Sequence, residues 1–259
     1  MKGRVLIVAG SDSSGGAGVQ ADIKTVTTLG GYAAAAITAL TAQNTTGVFA
    51  VLPVPPDFVR RQIDVVLADI GADCIKIGML HDAGIVAAVA ESLASVPDLP
   101  LVLDPVMRST SGALLLEASA IEVLKRRLIP RARVLTPNLP EAEMLLGRPI
   151  AGVEDMPAAA RALAAFGARA VVLKGGHLAG DTLRDVVVDG DEIYAFESAR
   201  IDTRHTHGTG CTLASAIATG LAQGMALRPA VARALDFVQQ AIRTAPGYGR
   251  GRGPLNHAP

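Results

Sequence analysis

The chain carries no net charge, because 24 Lys and Arg residues balance 24 Asp and Glu residues. Nucleic acid or an anionic membrane as main partner calls for a basic excess, so this balance argues against both. Cysteine is scarce. Cys74 and Cys211 lie far apart and form no paired framework, which suits a reducing cytosol. No apolar run approaches the ~18 residues needed to span a bilayer. Tryptophan is absent, aromatics make up 3% and charged residues 19%, against 50% hydrophobic residues. Such a composition excludes a disordered chain and describes an Ala/Val/Leu-rich α/β globule. A chain of 259 residues buries roughly 70–75% of its unfolded surface and needs no disulfide staples. The basic start Met1-Lys2-Gly3-Arg4 before apolar residues 5–9 superficially resembles a signal peptide. Its apolar part is too short, and Asp12 follows soon after, so a buried first strand in a cytoplasmic protein is expected.

Short apolar runs alternate with Ala/Leu-rich helical stretches along the whole chain. Strands are expected over residues 5–9, 36–40, 48–54, 74–77, 101–103, 134–136, 170–173 and 183–188. They are near-continuous apolar runs, as strands covered on both faces must be. Helices are expected over 17–29, 56–69, 83–95, 119–128, 141–146, 157–166, 211–223 and 229–244. Gly71, Gly147, Gly167 and Gly224 fall just past helical stretches, where a left-handed cap is wanted. This β-α alternation predicts a parallel sheet with helices on both sides. No Pro/Gly/Ser linker divides the chain and no repeat of fixed period is present, so one domain over 1–259 is expected. The Gly-rich tail 247–259 reads as a surface coil.

Ligands in open α/β sheets sit at the carboxyl ends of strands. Four segments at such ends carry chemistry. Residues 9–18 (AGSDSSGGAG) form a Gly-rich strand-to-helix turn with backbone amides available to a ligand. Their glycines miss the dinucleotide spacing, and no Gly-Lys-Ser/Thr completes a nucleotide-binding P-loop. The second segment, His207-Gly208-Thr209-Gly210-Cys211-Thr212, opens a helix whose first amides and dipole suit a phosphate or an oxyanion. Cys211 falls in the first turn of that helix, where a thiol's pKa drops below its usual value. His205, His207 and Cys211 also spell a metal cluster, but no fourth ligand is evident and Gly-Thr-Gly favours an anion over a zinc cage. Asp104 ends a strand in Leu103-Asp104-Pro105-Val106-Met107. Glu141 and Asn138 follow another in Thr136-Pro137-Asn138-Leu139-Pro140-Glu141. Two carboxylates and an Asn at strand ends suit magnesium held partly through waters. Lys174, ahead of Gly175-Gly176, offers a cation for phosphate.

Taken together, these segments resemble the ribokinase-like kinases, and most closely the bacterial hydroxymethylpyrimidine/phosphomethylpyrimidine kinases of thiamine biosynthesis. The resemblance is carried in order by 9–22 (AGSDSSGGAGVQAD), 41–45 (TAQNT), 76–80 (KIGML), 104–107 (DPVM), 136–141 (TPNLPE), 172–177 (VLKGGH) and 207–212 (HGTGCT), with 251–257 (GRGPLNH) like the family's C-terminus. It implies a three-layer α/β/α fold with a mainly parallel central sheet, and a homodimer. The implied reaction transfers the γ-phosphoryl of ATP to 4-amino-5-hydroxymethyl-2-methylpyrimidine and then to its monophosphate. By the same resemblance Gly10, Asp22, Gln43, Met79 and Val106 line the pyrimidine pocket. Lys174, Asn138 and Thr136 meet ATP, Asp104 and Glu141 organise Mg²⁺, and Gly208, Thr209 and Gly210 form the anion hole. A monovalent cation is a further cofactor the family admits.

Cys211 is the letter that separates the branches, since sugar kinases and many pyridoxal kinases of the superfamily carry Asp there. It is expected to accept the hydroxymethyl proton. One departure concerns Arg108 and Thr110, because some relatives carry Lys at position 110. That leaves the cation for the second phosphorylation less defined. A pyridoxal kinase of the same fold and a non-catalytic nucleotide-binding sensor are the alternatives.

Overall fold

A computed structural model describes residues 1–109, 111–178 and 180–259. The chain runs through β1 (Arg4–Ala9), α1 (Gly18–Thr28), β2 (Tyr32–Ile37), β3 (Ala39–Asn44), β4 (Gly47–Pro53) and α2 (Pro56–Asp69). It continues through β5 (Cys74–Ile77), α3 (Ala83–Leu93), β6 (Leu101–Leu103), α4 (Ala118–Arg127), β7 (Val134–Leu135), α5 (Leu139–Leu146) and α6 (Met156–Ala164). It closes with β8 (Ala170–Leu173), β9 (Thr182–Asp189), β10 (Glu192–Ala199), α7 (Thr209–Ala222) and α8 (Leu227–Arg243). Eight strands form one sheet in the order β10-β9-β8-β7-β6-β5-β1-β2. All neighbours from β8 to β2 pair in parallel, and only β9 and β10 add antiparallel.

The apolar runs explain the layers. Alternate residues of β1 point to opposite faces, so Leu6 and Val8 enter one core while Val5, Ile7 and Ala9 enter the other. The first core gathers Ile63 of α2, Ile85 and Val89 of α3, Leu124 of α4, Leu145 of α5 and Leu163 of α6. The second gathers Val19 and Val26 of α1, Ile217 of α7 and Val231 and Val238 of α8. Helices thus cover both faces, giving the three-layer α/β/α architecture. The four glycines expected as left-handed caps all take positive φ, from 69° at Gly147 to 106° at Gly167.

Three expectations are corrected. The single strand over 36–40 is two elements, because β2 ends at Ile37 and β3 leaves the sheet after Thr38. Thr38 makes the break by turning its hydroxyl onto the Met79 carbonyl (2.6 Å) and its amide onto Ala9. β3 and β4 then form a separate two-stranded hairpin above the carboxyl edge of the sheet. The outermost strand, β10, was not foreseen. The tail is not all surface coil either: Gly253, Leu255 and His257 are buried, and the Asn256 amide bonds to Ala241 of α8. The Thr212 hydroxyl meets His257 Nε2 at 3.0 Å, tying the tail to the start of α7.

Candidate active site

The loops after β1, β6 and β8 approach the start of α7 through Gly16, Asp104 and Lys174. The turn after β1 is built around Asp12, whose carboxylate accepts the amides of Ser14, Gly16 and Ala17 and the Ser14 hydroxyl. His207 Nε2 lies 2.7 Å from the same carboxylate. Burial alone would raise the Asp12 carboxyl, but the bonds from His207 and Ser14 prevail and hold it at about 2. His207 is therefore a structural partner of Asp12, and among the described residues no group of three or more His, Cys, Asp or Glu is placed to hold a metal. Gly208 caps α7 at φ 91°, and a Cβ there would overlap the Gly16 carbonyl oxygen. A Cβ on Gly16 would lie 2.5 Å from the His207 ring. The two glycine loops interlock at van der Waals distance and leave the first amides of α7 without intrahelical acceptors.

Beside these amides sits a cluster of charge. Asp104, at the end of β6, accepts both Lys174 Nζ and the Thr136 hydroxyl at 3.0 Å on one oxygen. A Cβ on Gly210 would lie 3.2 Å from Lys174 Nζ and 3.6 Å from the other Asp104 oxygen. The anion-hole loop and the Lys174–Asp104 pair are thus adjacent. Asn138 and Glu141 form a reciprocal capping box on α5, with both bonds at 2.9 Å. Burial raises the Glu141 carboxyl to about 7, Lys174 opposes the rise and Asp104 adds to it. Two of the residues expected at ATP also make bonds within the protein. Thr136 is fully buried with its hydroxyl on Asp104, and the Asn138 carbonyl oxygen caps α5.

The β3–β4 hairpin contributes to a small apolar cluster of its own. Ala39, Met79 and Leu115 pack with Val48, Val51 and Val106, apart from the two main cores. Gly10 lies against it, since a Cβ there would lie 2.8 Å from the Met79 sulfur. Ser13 Oγ bridges the amide and carbonyl of Gln43, which holds the hairpin on the Gly-rich turn. The β3–β4 register shifts between Ala42 and Gln43, and such bulges re-aim the side chain that follows. The Gln43 amide nitrogen comes to 3.4 Å from His207 Nε2.

The family model described as phosphomethylpyrimidine kinase matches residues 12–256. The chain belongs to this kinase family. It is 54% identical to the thiamine biosynthesis bifunctional protein ThiED of Geobacter sulfurreducens over 99% of its own length, but spans only 52% of that protein. It is 48% identical to the hydroxymethylpyrimidine/phosphomethylpyrimidine kinase of Streptomyces coelicolor, covering 98% of this chain and 93% of that protein. Among solved structures it superposes on Staphylococcus aureus pyridoxal kinase, solved with AMP-PCP and pyridoxal, at a TM-score of 0.91. That match has 35% identity and covers all of this chain and 94% of the other.

Two expected residues of the kinase behave differently from their sequence reading. Asp22 does not line the pocket. It is fully buried, with one oxygen 2.7 Å from Lys76 Nζ and the other accepting the Ser215 hydroxyl at 2.7 Å. Cys211 reverses its expected direction, because desolvation raises the thiol to about 12 in spite of Lys76 and the Gly18 amide. Arg108 donates to the Gly112 carbonyl at 3.2 Å within its own loop, and Thr110 lies outside the described residues. Sequence reasoning named no role for Asp12, Lys76 or Ser215, and for His207 only a metal cluster that it set aside. The signal for Lys76 was present, since a lysine in the wholly apolar strand Cys-Ile-Lys-Ile requires a buried partner.

Proposed function

We propose that this chain transfers the γ-phosphoryl of ATP to 4-amino-5-hydroxymethyl-2-methylpyrimidine and then to its monophosphate, in thiamine biosynthesis. The observation that carries this reading is the close approach of the Gly210 backbone, at the start of α7, to the Lys174–Asp104 pair. Met79 and Val106 offer apolar faces to a flat ring. Gln43 presents donor and acceptor on one amide, as an aminopyrimidine edge requires. Lys174 and the amides at Gly208, Thr209 and Gly210 meet the phosphates. Phosphoryl transfer passes through a loose transition state, so positioning and charge matter more than a strong base. A neutral Cys211 thiol fits that demand by shaping the pocket beside the reacting hydroxyl.

The charge cluster also fits Mg²⁺. Asp104 and the neighbouring Glu141 are both buried, and their mutual repulsion adds to the rise at Glu141, which a cation relieves. Mg²⁺ takes one or two carboxylates with waters and substrate phosphates rather than an all-protein cage. Asp104 and Glu141 would hold it, and it would neutralise charge on the transferred group.

A coupled ADP-release assay with Mg·ATP tests the reading, offering the pyrimidine, its monophosphate, pyridoxal and ribose separately. Both pyrimidines are expected to turn over in preference to pyridoxal. Turnover of pyridoxal alone would make this a pyridoxal kinase, and nucleotide binding without turnover would make it a sensor.

The hairpin supports a homodimer. Leu40 and Leu52 pair across the strands and are 45% and 65% exposed, with Phe49 at 70%. A two-stranded hairpin with a bare apolar face needs a cover, and a second copy supplies one. Light scattering is expected to give a dimer for the wild type and a monomer for Leu40→Glu/Leu52→Glu. A monomeric wild type would sink this. No helix among the described residues is long and apolar enough to cross a membrane. The unpaired Cys74 and Cys211 support a cytoplasmic location.

A further inference from the structure

The centre of strand β5 holds a charge that the proposed reaction leaves unused. All four residues of Cys74–Ile77 are buried, and Lys76 has no exposed side-chain surface. Its ammonium pairs with Asp22 of α1 at 2.7 Å, and Asp22 in turn accepts Ser215 of α7 at 2.7 Å. One dry network thus joins a strand to two helices. Ser215 lies four residues after Cys211, on the same face of α7 and one turn below it. At the other end, a Cβ on Gly78 would lie 2.9 Å from Lys76 Nζ, directly before Met79 of the small apolar cluster. The ammonium therefore lies beside Gly78, next to Met79, and is linked through Asp22 to α7. The charged groups acting on Cys211 are Lys76 from β5, Asp22 from α1, Asp104 from the end of β6 and Lys174 from the end of β8. Stability gives a weak reason for such a pair, since apolar residues of similar volume often serve as well or better.

We propose that Lys76 is a positioning residue for phosphoryl transfer. Through Asp22 and Ser215 it seats the first turns of α7, with the anion-hole glycines and Cys211. The inference rests on the phosphoryl-transfer reading, but its test has an arm independent of turnover.

The double variant Lys76→Met/Asp22→Asn removes both charges and leaves no unpaired ion in the core. It is expected to fold, to keep KM for both substrates within about two-fold, and to lose about ten-fold or more in kcat. Alkylation of Cys211 by iodoacetamide at fixed pH is expected to change about three-fold or more in rate, since the turn that carries Cys211 loses its anchor through Ser215 and Asp22. Fully buried Cys74 gives a silent background. A folded double variant with unchanged kcat and unchanged alkylation overturns the proposal. Where the double variant does not fold, Ser215→Ala carries the test. An about three-fold fall in kcat at constant KM supports the network, and an unchanged kcat overturns it. A wild type inactive on every pyrimidine sinks the transfer reading, and the alkylation arm then decides the seating of Cys211 alone.

Discussion

Gly208→Ala is expected to lower kcat by about 10²–10³-fold while the chain stays folded. The reason is the interlock of the two glycine loops. At φ 91° an L side chain is already strained, by roughly 1–2 kcal/mol. The larger effect comes from space, because the new Cβ overlaps a backbone oxygen of Gly16 that no rotamer change can move aside. The start of α7 must then part from the turn after β1, taking the anion-hole amides out of register with Lys174 and Asp104. Losing preorganised donors of this kind costs about 3–4 kcal/mol of transition-state stabilisation. Gly224→Ala is the control. Gly224 has φ 83° but nothing within 4 Å of an added Cβ, so only the strain is felt and kcat holds. Steady-state kinetics with a thermal melt on both variants reads the contrast. A Gly208→Ala enzyme within three-fold of wild type would remove the anion hole from the mechanism.

The fold was legible wherever burial alone decided the element. Strands β5, β6 and β8 sit within continuous apolar runs, and their limits match those expected from sequence. β10 escaped because it lies at the sheet edge and alternates, Glu-Ile-Tyr-Ala-Phe-Glu-Ser-Ala, with only part of its surface covered. The break at Thr38 escaped for a different reason. Its cause is a hydrogen bond to Met79, some forty residues away, and local pattern carries no trace of such a partner. The site divides along the same line. Gly10, Gln43, Met79, Val106, Asp104, Lys174 and the Gly-Thr-Gly loop are brought to one edge because strand ends and helix starts are local features. Asp22 and Thr136 have their side-chain oxygens occupied within the protein, and the Asn138 side-chain oxygen caps α5. The Cys211 thiol was misread because the helix start is visible in sequence, whereas the desolvation that outweighs it is a property of packing.

Lys174→Met is expected to give the second large loss, about 10³-fold in kcat with a raised KM for ATP. Lys174 Nζ lies 3.0 Å from Asp104 and beside the Gly210 backbone, so one cation serves the phosphate site and the carboxylate pair together. Its removal takes charge from the transferred group and leaves Asp104 and Glu141 buried without their common counter-ion. Glu141, already raised to about 7, would rise further because Lys174 is the group that opposes its burial. Breaking a buried pair from one side costs about 3–5 kcal/mol of stability, so a lower melting temperature must be separated from the kinetic loss. Lys174→Met/Asp104→Asn makes that separation by removing both members of the pair. The double variant is expected to regain stability without regaining activity, because Asp104 is itself placed to hold Mg²⁺. If Lys174 meets the nucleotide phosphates, the KM for ATP also stays high. Lys174→Arg keeps the charge but replaces a compact ammonium with a planar fork, and partial activity there would tie the effect to charge rather than shape. A folded Lys174→Met enzyme within ten-fold of wild type would sink the assignment, because a loose phosphoryl-transfer transition state has little besides positioned charge to stabilise it.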